Sequence, residues 1–193
     1  MIPVKDIIII AGHGGVDPGA KSKFGMLEAR VNLNVALELE RLLTTAGFRV
    51  RQYRKTHDAF AGKGGIWIIN DSMAFTRKYP GAISINIHHN AGGGFGAEVW
   101  ARINHLPSAA LGSAILDEFK AIGQSVRGLK TRKGSNGDYF GVLRAAAGVG
   151  STAVITEFGF IDTEDARDFD HPKEQAAEAA AIAKAVRKLY KPA

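Results

Sequence analysis

Residues 7–19 read Ile7-Ile8-Ile9-Ile10-Ala11-Gly12-His13-Gly14-Gly15-Val16-Asp17-Pro18-Gly19. Ile7 to Ala11 is an unbroken apolar run of mostly β-branched residues, which favour extended backbone. Glycine ends it at once. A run with no polar alternation reads as a strand buried on both faces, the situation of strands inside a parallel sheet. Downstream, Leu27, Val31, Val35, Leu39, Leu42 and Leu43 recur at helical spacing up to Ala46, and Gly47 supplies a C-cap. Phe48 to Tyr53 then alternates apolar and basic residues as a second strand. Strand, helix and strand in this order form a βαβ unit, whose crossover makes the two strands parallel.

The alternation continues along the chain. Gly65 to Tyr79 reads as a helix, Ala82 to His88 as an Ile-rich strand and Ala97 to Arg102 as another strand. Ser108 is placed to cap a helix running to Ile122, and Lys130 to Gly141, polar and glycine-containing, reads as an irregular surface loop. Thr152 to Phe158 has the composition of a central strand, and Glu174 to Leu189 is an alanine-rich closing helix. With no internal repeat, low-complexity tract or flexible linker, residues 1–193 are expected to form a single α/β domain.

Composition narrows the function classes. The chain has 193 residues, 46% hydrophobic and 23% charged, which excludes a disordered chain or a fibrous repeat. It has no cysteine, so disulfides, thiolate metal ligands and a cysteine nucleophile are ruled out. Any metal must be held by His, Asp or Glu. Lys and Arg number 25 against 19 Asp and Glu, a net charge of +6 that suits anionic partners. There is no long basic run and no RNA-binding aromatic signature, so nucleic acid is not expected. No stretch reaches the ~18 apolar residues of a membrane span. Met1 to Ile10 lacks the basic start and cleavage site of a secretory peptide, so synthesis in the cytoplasm is expected, with no membrane insertion.

Ligands of open parallel sheets gather beyond the carboxyl ends of the strands. The first strand ends at His13, the Ile-rich strand at His88-His89-Asn90 and the late strand at Glu157, while Glu28 opens the first helix. Two imidazoles and one carboxylate can hold a catalytic zinc with a fourth position open to water. Zinc activates that water and polarises a carbonyl, and a second carboxylate can carry the proton to a leaving amine. His13, Glu28 and His88 would hold the metal, leaving Glu157 for proton transfer. Plainer roles exist for each. His13 could cap a loop, Glu28 could favour the positive end of its helix, and the strand period lets only one of His88 and His89 face the site. Glu157, within Ala153-Val154-Ile155-Thr156-Glu157-Phe158, is the hardest to explain without a partner or a task. Gly12 to Gly15 fits neither a dinucleotide fingerprint nor a phosphate loop, since Asp17 and Pro18-Gly19 occupy the positions that would open the helix. His57, His105 and His171 lie in polar segments and are expected at the surface.

Gly12-His13-Gly14-Gly15-Val16-Asp17-Pro18-Gly19-Ala20 resembles the opening motif of the zinc-dependent N-acetylmuramoyl-L-alanine amidases of the type-3 amidase family. Glu28 followed by Asn32 is similar to the family's second ligand segment, and Asn86-Ile87-His88-His89-Asn90-Ala91 to its Ser-Ile-His-x-Asn-Ala strand end. Ala97-Glu98-Val99-Trp100, Val142-Leu143-Arg144 and Thr156-Glu157-Phe158-Gly159-Phe160-Ile161 resemble the later motifs, in order. Two departures stand out: Asn86 replaces the usual serine, and Lys63 to Tyr79 lacks the usual Arg-x-x-x-Ala-Asn pattern. The resemblance implies a twisted, mostly parallel sheet of about six strands with helices on both faces. It also implies one Zn2+ on His13, Glu28 and His88, the last chosen over His89 by its place in the motif. Glu157 would be the catalytic carboxylate, and Asn90 would orient substrate or brace the strand end. The implied reaction is hydrolysis of the amide between the lactyl group of muramic acid and the first L-alanine of the peptidoglycan stem. The implied setting is that of a monomeric, endolysin-like wall enzyme, its basic surface attracted to anionic wall polymers. A zinc peptidase cutting within the stem and an inactive wall-binding module are the alternatives.

Overall fold

The computed structural model describes residues Met1–Ala193. The chain runs β1 (Ile2–Val4), β2 (Ile7–Ala11), α1 (Glu28–Thr45), β3 (Val50–Gln52), α2 (Gly65–Arg77), β4 (Ile83–Asn90), β5 (Ala97–Ala101) and α3 (Leu106–Ala121). It continues through β6 (Val126–Lys130), β7 (Lys133–Gly134), β8 (Gly137–Asp138), α4 (Gly141–Gly148), β9 (Thr152–Phe160), a 3-10 turn (Glu164–Asp168), α5 (Pro172–Leu189) and β10 (Tyr190–Pro192). The central sheet has six strands in the order β3-β2-β4-β9-β5-β6. The first four run parallel, β5 lies antiparallel to β9, and β6 runs parallel to β5. This is the mixed, mostly parallel α/β sheet expected from the sequence. A separate parallel pair, β1 with β10, ties the two ends of the chain together. No helix is long and apolar enough to cross a membrane.

Side-chain parity along the strands sorts the sheet into two faces. Ile83, Ile85 and Ile87 of β4 and Val154 and Phe158 of β9 join the main core, together with Leu33, Leu39 and Leu43 of α1 and Ile182 and Val186 of α5. The alternate residues Ala153 and Ile155 of β9 pack instead with Leu143 and Ala146 of α4. Helices thus cover both faces: α1, α3 and α5 one, α4 with its neighbour α2 the other. His88 shares its parity with Asn86, and His89 shares that of the core isoleucines, so adjacent histidines leave the strand on opposite sides.

Two expectations change. Lys130 to Gly141 is not irregular: it carries the β7–β8 ribbon, and α4 starts at its end. Pieces of two to eight residues are too short to imprint a period on the sequence. Ser108 is not the cap of α3. The helix begins earlier, at Leu106, because Pro107 is preorganised for the first turn and the His105 ring Nδ1 accepts from the Ser108 N–H at 3.2 Å. The Ser108 hydroxyl accepts instead from the Ala153 N–H of β9 at 3.0 Å.

Arg54 locks the crossover. It is only 3% exposed and donates to the carbonyls of Ala11 (3.2 Å), Gly12 (2.9 Å) and Ala29 (2.6 Å). The end of β2 and the start of α1 are thereby tied to one guanidinium, whose pKa burial lowers to about 10. Arg54→Met removes the donors and leaves buried carbonyls unpaired. It should destabilise the fold by about 2–4 kcal/mol, read from urea unfolding; a loss below about 0.5 kcal/mol, the scale of an ordinary surface substitution, would refute this role.

Candidate metal centre and active site

The site grows from the first turn of α1. Glu28 is 4% exposed, at the helix end where the dipole favours an anion. Its Oε2 accepts from the Ala20 N–H at 3.0 Å and lies 3.1 Å from His13 Nε2. Its Oε1 lies 3.2 Å from His88 Nδ1 and accepts from the His89 N–H at 3.2 Å and from Asn32 Nδ2 at 3.3 Å. The carboxylate therefore sits between two imidazoles. The ligand atoms of His13, Glu28 and His88 all fall within 4.8 Å of one another.

Loop geometry presents His13. Its φ is 63°, a left-handed conformation unusual for a side-chain-bearing residue, and it stands just before Gly14 and Gly15, also at positive φ. Backbone bonds between Gly14 and Asp17 close the turn, and the Asp17 carboxylate meets His13 Nδ1 at 2.9 Å. This contact makes Nδ1 the protonated nitrogen and leaves Nε2 facing Glu28 and His88, the carboxylate–histidine arrangement that orients metal-binding imidazoles. Two glycines make room. A Cβ on Gly12 would stand 2.1 Å from His88 Cε1, and one on Gly19 would stand 2.7 Å from Glu28 Oε2 and 2.8 Å from His13 Cδ2.

The donor set of two imidazoles and one carboxylate, braced from behind and cradled by glycines, fits a zinc ion. Burial opposes charge on His13, yet the carboxylates of Glu28 and Asp17 outweigh it and raise its pKa to about 9. Burial would likewise raise Glu28, but its contacts with His13 and His88 hold it far below the usual carboxylate range. The His13 proton is what a bound metal cation would replace.

Glu157 lies opposite His88 in the β4–β9 register and opposite Glu98 in the β9–β5 register. Its Oε2 is buried without a hydrogen-bond partner. Burial raises its pKa well above the ordinary value, and the charges of Glu28, Glu98 and Glu178 add to the effect. Asn90, at a register shift of β4, donates from Nδ2 to Glu98 Oε1 at 3.1 Å, and its Oδ1 accepts from the Ala91 N–H. Arg127 Nε donates to Glu98 Oε2 at 2.9 Å. Beside His13 and His88 opens an apolar hollow of about 210 Å³, walled by Ile10, Ile68, Phe140, Val142 and Ile155 between α2, α4 and the sheet.

All five residues singled out from the sequence, His13, Glu28, His88, Asn90 and Glu157, thus fall at one edge of the sheet. His57 and His171 are exposed, and His105 is half-buried at its cap. Asp17, Asn32 and Glu98 are additional members of the site to which the sequence reading gave no role. Asp17 was within reach, four residues from His13 in a glycine-rich turn. Glu98 begins a strand, and because β5 runs against β9 its first residues arrive at the edge where the parallel strands end. A metal ion at this donor set must displace the His13 proton, so its affinity should rise as pH rises toward about 9 and level off above. The metal-free fold should behave oppositely: the stability from charged His13 is full below pH 6.5 and is lost as pH rises through about 9. Chelator-competition titrations across this range test the first statement, and a flat profile would refute it.

Residues 7–188 match the family described as N-acetylmuramoyl-L-alanine amidase. The sporulation-specific N-acetylmuramoyl-L-alanine amidase of Bacillus subtilis (strain 168) is 33% identical over 160 residues, covering 81% of this chain and 56% of that protein. Cwp6 from Clostridium difficile has a TM-score of 0.84 at 26% identity, over 96% of this chain and 29% of that one. The catalytic domain of an endolysin targeting Clostridia difficile shares the fold, with a TM-score of 0.77 at 22% identity over 98% of this chain and 99% of that one. The chain therefore spans little more than half of the first of these proteins and under a third of the second. With nearly its whole length inside the family match, the chain belongs to the N-acetylmuramoyl-L-alanine amidase family.

Proposed function

We propose that the chain hydrolyses the amide between the lactyl group of N-acetylmuramic acid and the L-alanine of the peptidoglycan stem, with one zinc ion held by His13, Glu28 and His88. The observation that carries this reading is the convergence of those three donors within 4.8 Å, with half-buried Glu157 directly across the strand pair from His88. When bound, zinc supplies Lewis-acid activation of water and of the scissile carbonyl. The chain's own residues do the rest. The Glu157 carboxylate, through the oxygen that is not buried, takes the proton of the attacking water and returns it to the departing alanine nitrogen. The like charges of Glu28 and Glu98 keep Glu157 basic enough for the transfer. Asp17 holds the His13 tautomer, and Asn90, anchored on Glu98, stands at the rim where substrate would be oriented. The net charge of +6 attracts the chain to anionic wall polymers, and the role we assign is lysis of bacterial walls by an endolysin-like enzyme made in the cytoplasm.

End-group analysis of purified peptidoglycan tests the reaction. New alanine amino termini should appear and should vanish with a chelator. Termini of another amino acid would move the cut into the stem, and none at all with zinc bound would leave a binding module. Glu157→Gln should keep zinc and lose about 10²–10⁴-fold in turnover. Activity on whole walls should fall as salt rises, because screening weakens surface attraction; salt-independent activity would remove the electrostatic role.

The raised pKa of Glu157 gives a second test. As a base it must be ionised, so the acid limb of kcat/KM should report the Glu157 carboxylate. Glu98→Gln removes one like charge and leaves Arg127 unneutralised, and both changes lower the Glu157 pKa. The acid limb should therefore move to lower pH in this variant, and a limb that stays or moves upward would exclude Glu157 as the titrating group.

A further inference from the structure

His89 leaves β4 on the face opposite His88, into the core between α1 and α5. Its side chain is wholly buried, as is that of Glu178 in α5, whose Oε2 lies 3.2 Å from His89 Nε2. The opposite nitrogen, Nδ1, lies 2.8 Å from Asn32 Oδ1. Asn32 Nδ2 in turn reaches Glu28 Oε1 and the Gly12 carbonyl, each at 3.3 Å. With two acceptors at its nitrogen, the Asn32 amide can face only one way, and its oxygen must point at His89. His89 then donates from Nδ1, and Nε2 is left to Glu178. That last contact is close but off the line of a hydrogen bond, and Phe169 packs on the ring, tilted, at 4.3 Å between centroids.

Filling the core does not explain this group. A carboxylate and an imidazole buried together carry a desolvation cost that apolar side chains of similar volume avoid. Their polar contacts run instead, through Asn32, to Glu28. We infer that Glu178, His89 and Asn32 form a positioning relay for the Glu28 carboxylate. Glu178 fixes the His89 ring, and His89 fixes the Asn32 amide. That amide and the His89 backbone N–H then hold Glu28 Oε1 where the metal needs it. None of the three touches substrate; all act through Glu28. The inference rests on the reading that His13, Glu28 and His88 hold zinc.

The double variant His89→Leu/Glu178→Leu separates positioning from packing, since the two roles predict opposite signs. Replacing a buried carboxylate–imidazole pair by apolar residues of similar volume leaves stability unchanged or raised, whereas loss of an outer hydrogen-bond partner weakens metal binding by about 10–100-fold. The measurements are the zinc dissociation constant by chelator competition and urea unfolding of the metal-free full chain. Weaker zinc binding without lost stability is the expected result. Wild-type zinc affinity in the double variant would overturn the relay, as would a loss of affinity that merely follows a loss of stability. Should the double variant not fold, Glu178→Gln and Glu178→Ala decide: the glutamine amide can still meet His89 Nε2, accepting through its oxygen or donating through its nitrogen, so it should keep zinc affinity where alanine loses it. Equal affinity in these two would overturn the relay. A wild-type chain that binds no zinc overturns the metal reading itself, and the relay with it.

Discussion

The burial of one carboxylate organises this molecule. Glu28 is almost out of water, and an ionised group there is tolerated only if its oxygens are fully engaged. They are engaged from three directions: the Ala20 N–H and His13 of the loop after β2, Asn32 one turn along α1, and His88 with the His89 N–H on β4. Loop, helix and strand are therefore held in mutual register by a single anion. Arg54 performs the complementary task, gathering the carbonyls that the same loop and helix leave behind. Gly12 and Gly19 follow from the same constraint, because a Cβ at either would occupy space that His88 or Glu28 fills.

Around that anion the charge is unbalanced in an informative way. Glu157 and Glu98 are brought beside Glu28 by neighbouring strands, and Glu98 alone is answered by a permanent cation, Arg127. Glu157 has none, so nothing offsets the burial and the neighbouring carboxylates that raise its pKa. The site thus combines a carboxylate whose pKa is held low and one whose pKa is raised. Environment sets these states apart, which is the usual physical basis for dividing ligand and proton-transfer roles between chemically identical groups.

The main lines of the fold are legible in the residues because they are long and strongly patterned. Ile7 to Ala11, the leucine spacing from Leu27 to Leu43 and the Ile-rich segment before His88 each point to one structure, and β2, α1 and β4 appear there. The β7–β8 ribbon, α4 and the β1–β10 pair are each too short to carry a period, and α4 and the β1–β10 pair also form through contacts with segments far away in the chain. Ser108 shows a local signal overridden: a good capping residue became a buried acceptor for β9 once Pro107 had set the helix start. At the site, strand-end reasoning found His13, His88, Asn90 and Glu157 because their strands run in parallel. Glu98 lay outside it because no local feature announces that β5 is reversed.

By itself the sequence determined which chemistry was available: no thiol, a few histidines, and carboxylates at the ends of apolar strands. Strand period also determined that His88 and His89 would part to opposite faces. Tertiary structure decided what each of those groups became. Only pairing across β4, β9 and β5 placed Glu157 between His88 and Glu98, and only the packing of α5 against α1 brought Glu178 to His89. The physical reason is that periodicity is a property of neighbouring residues, whereas a pKa, a tautomer or a ligand geometry depends on distances between atoms tens of residues apart, which exist only once the sheet has closed around them.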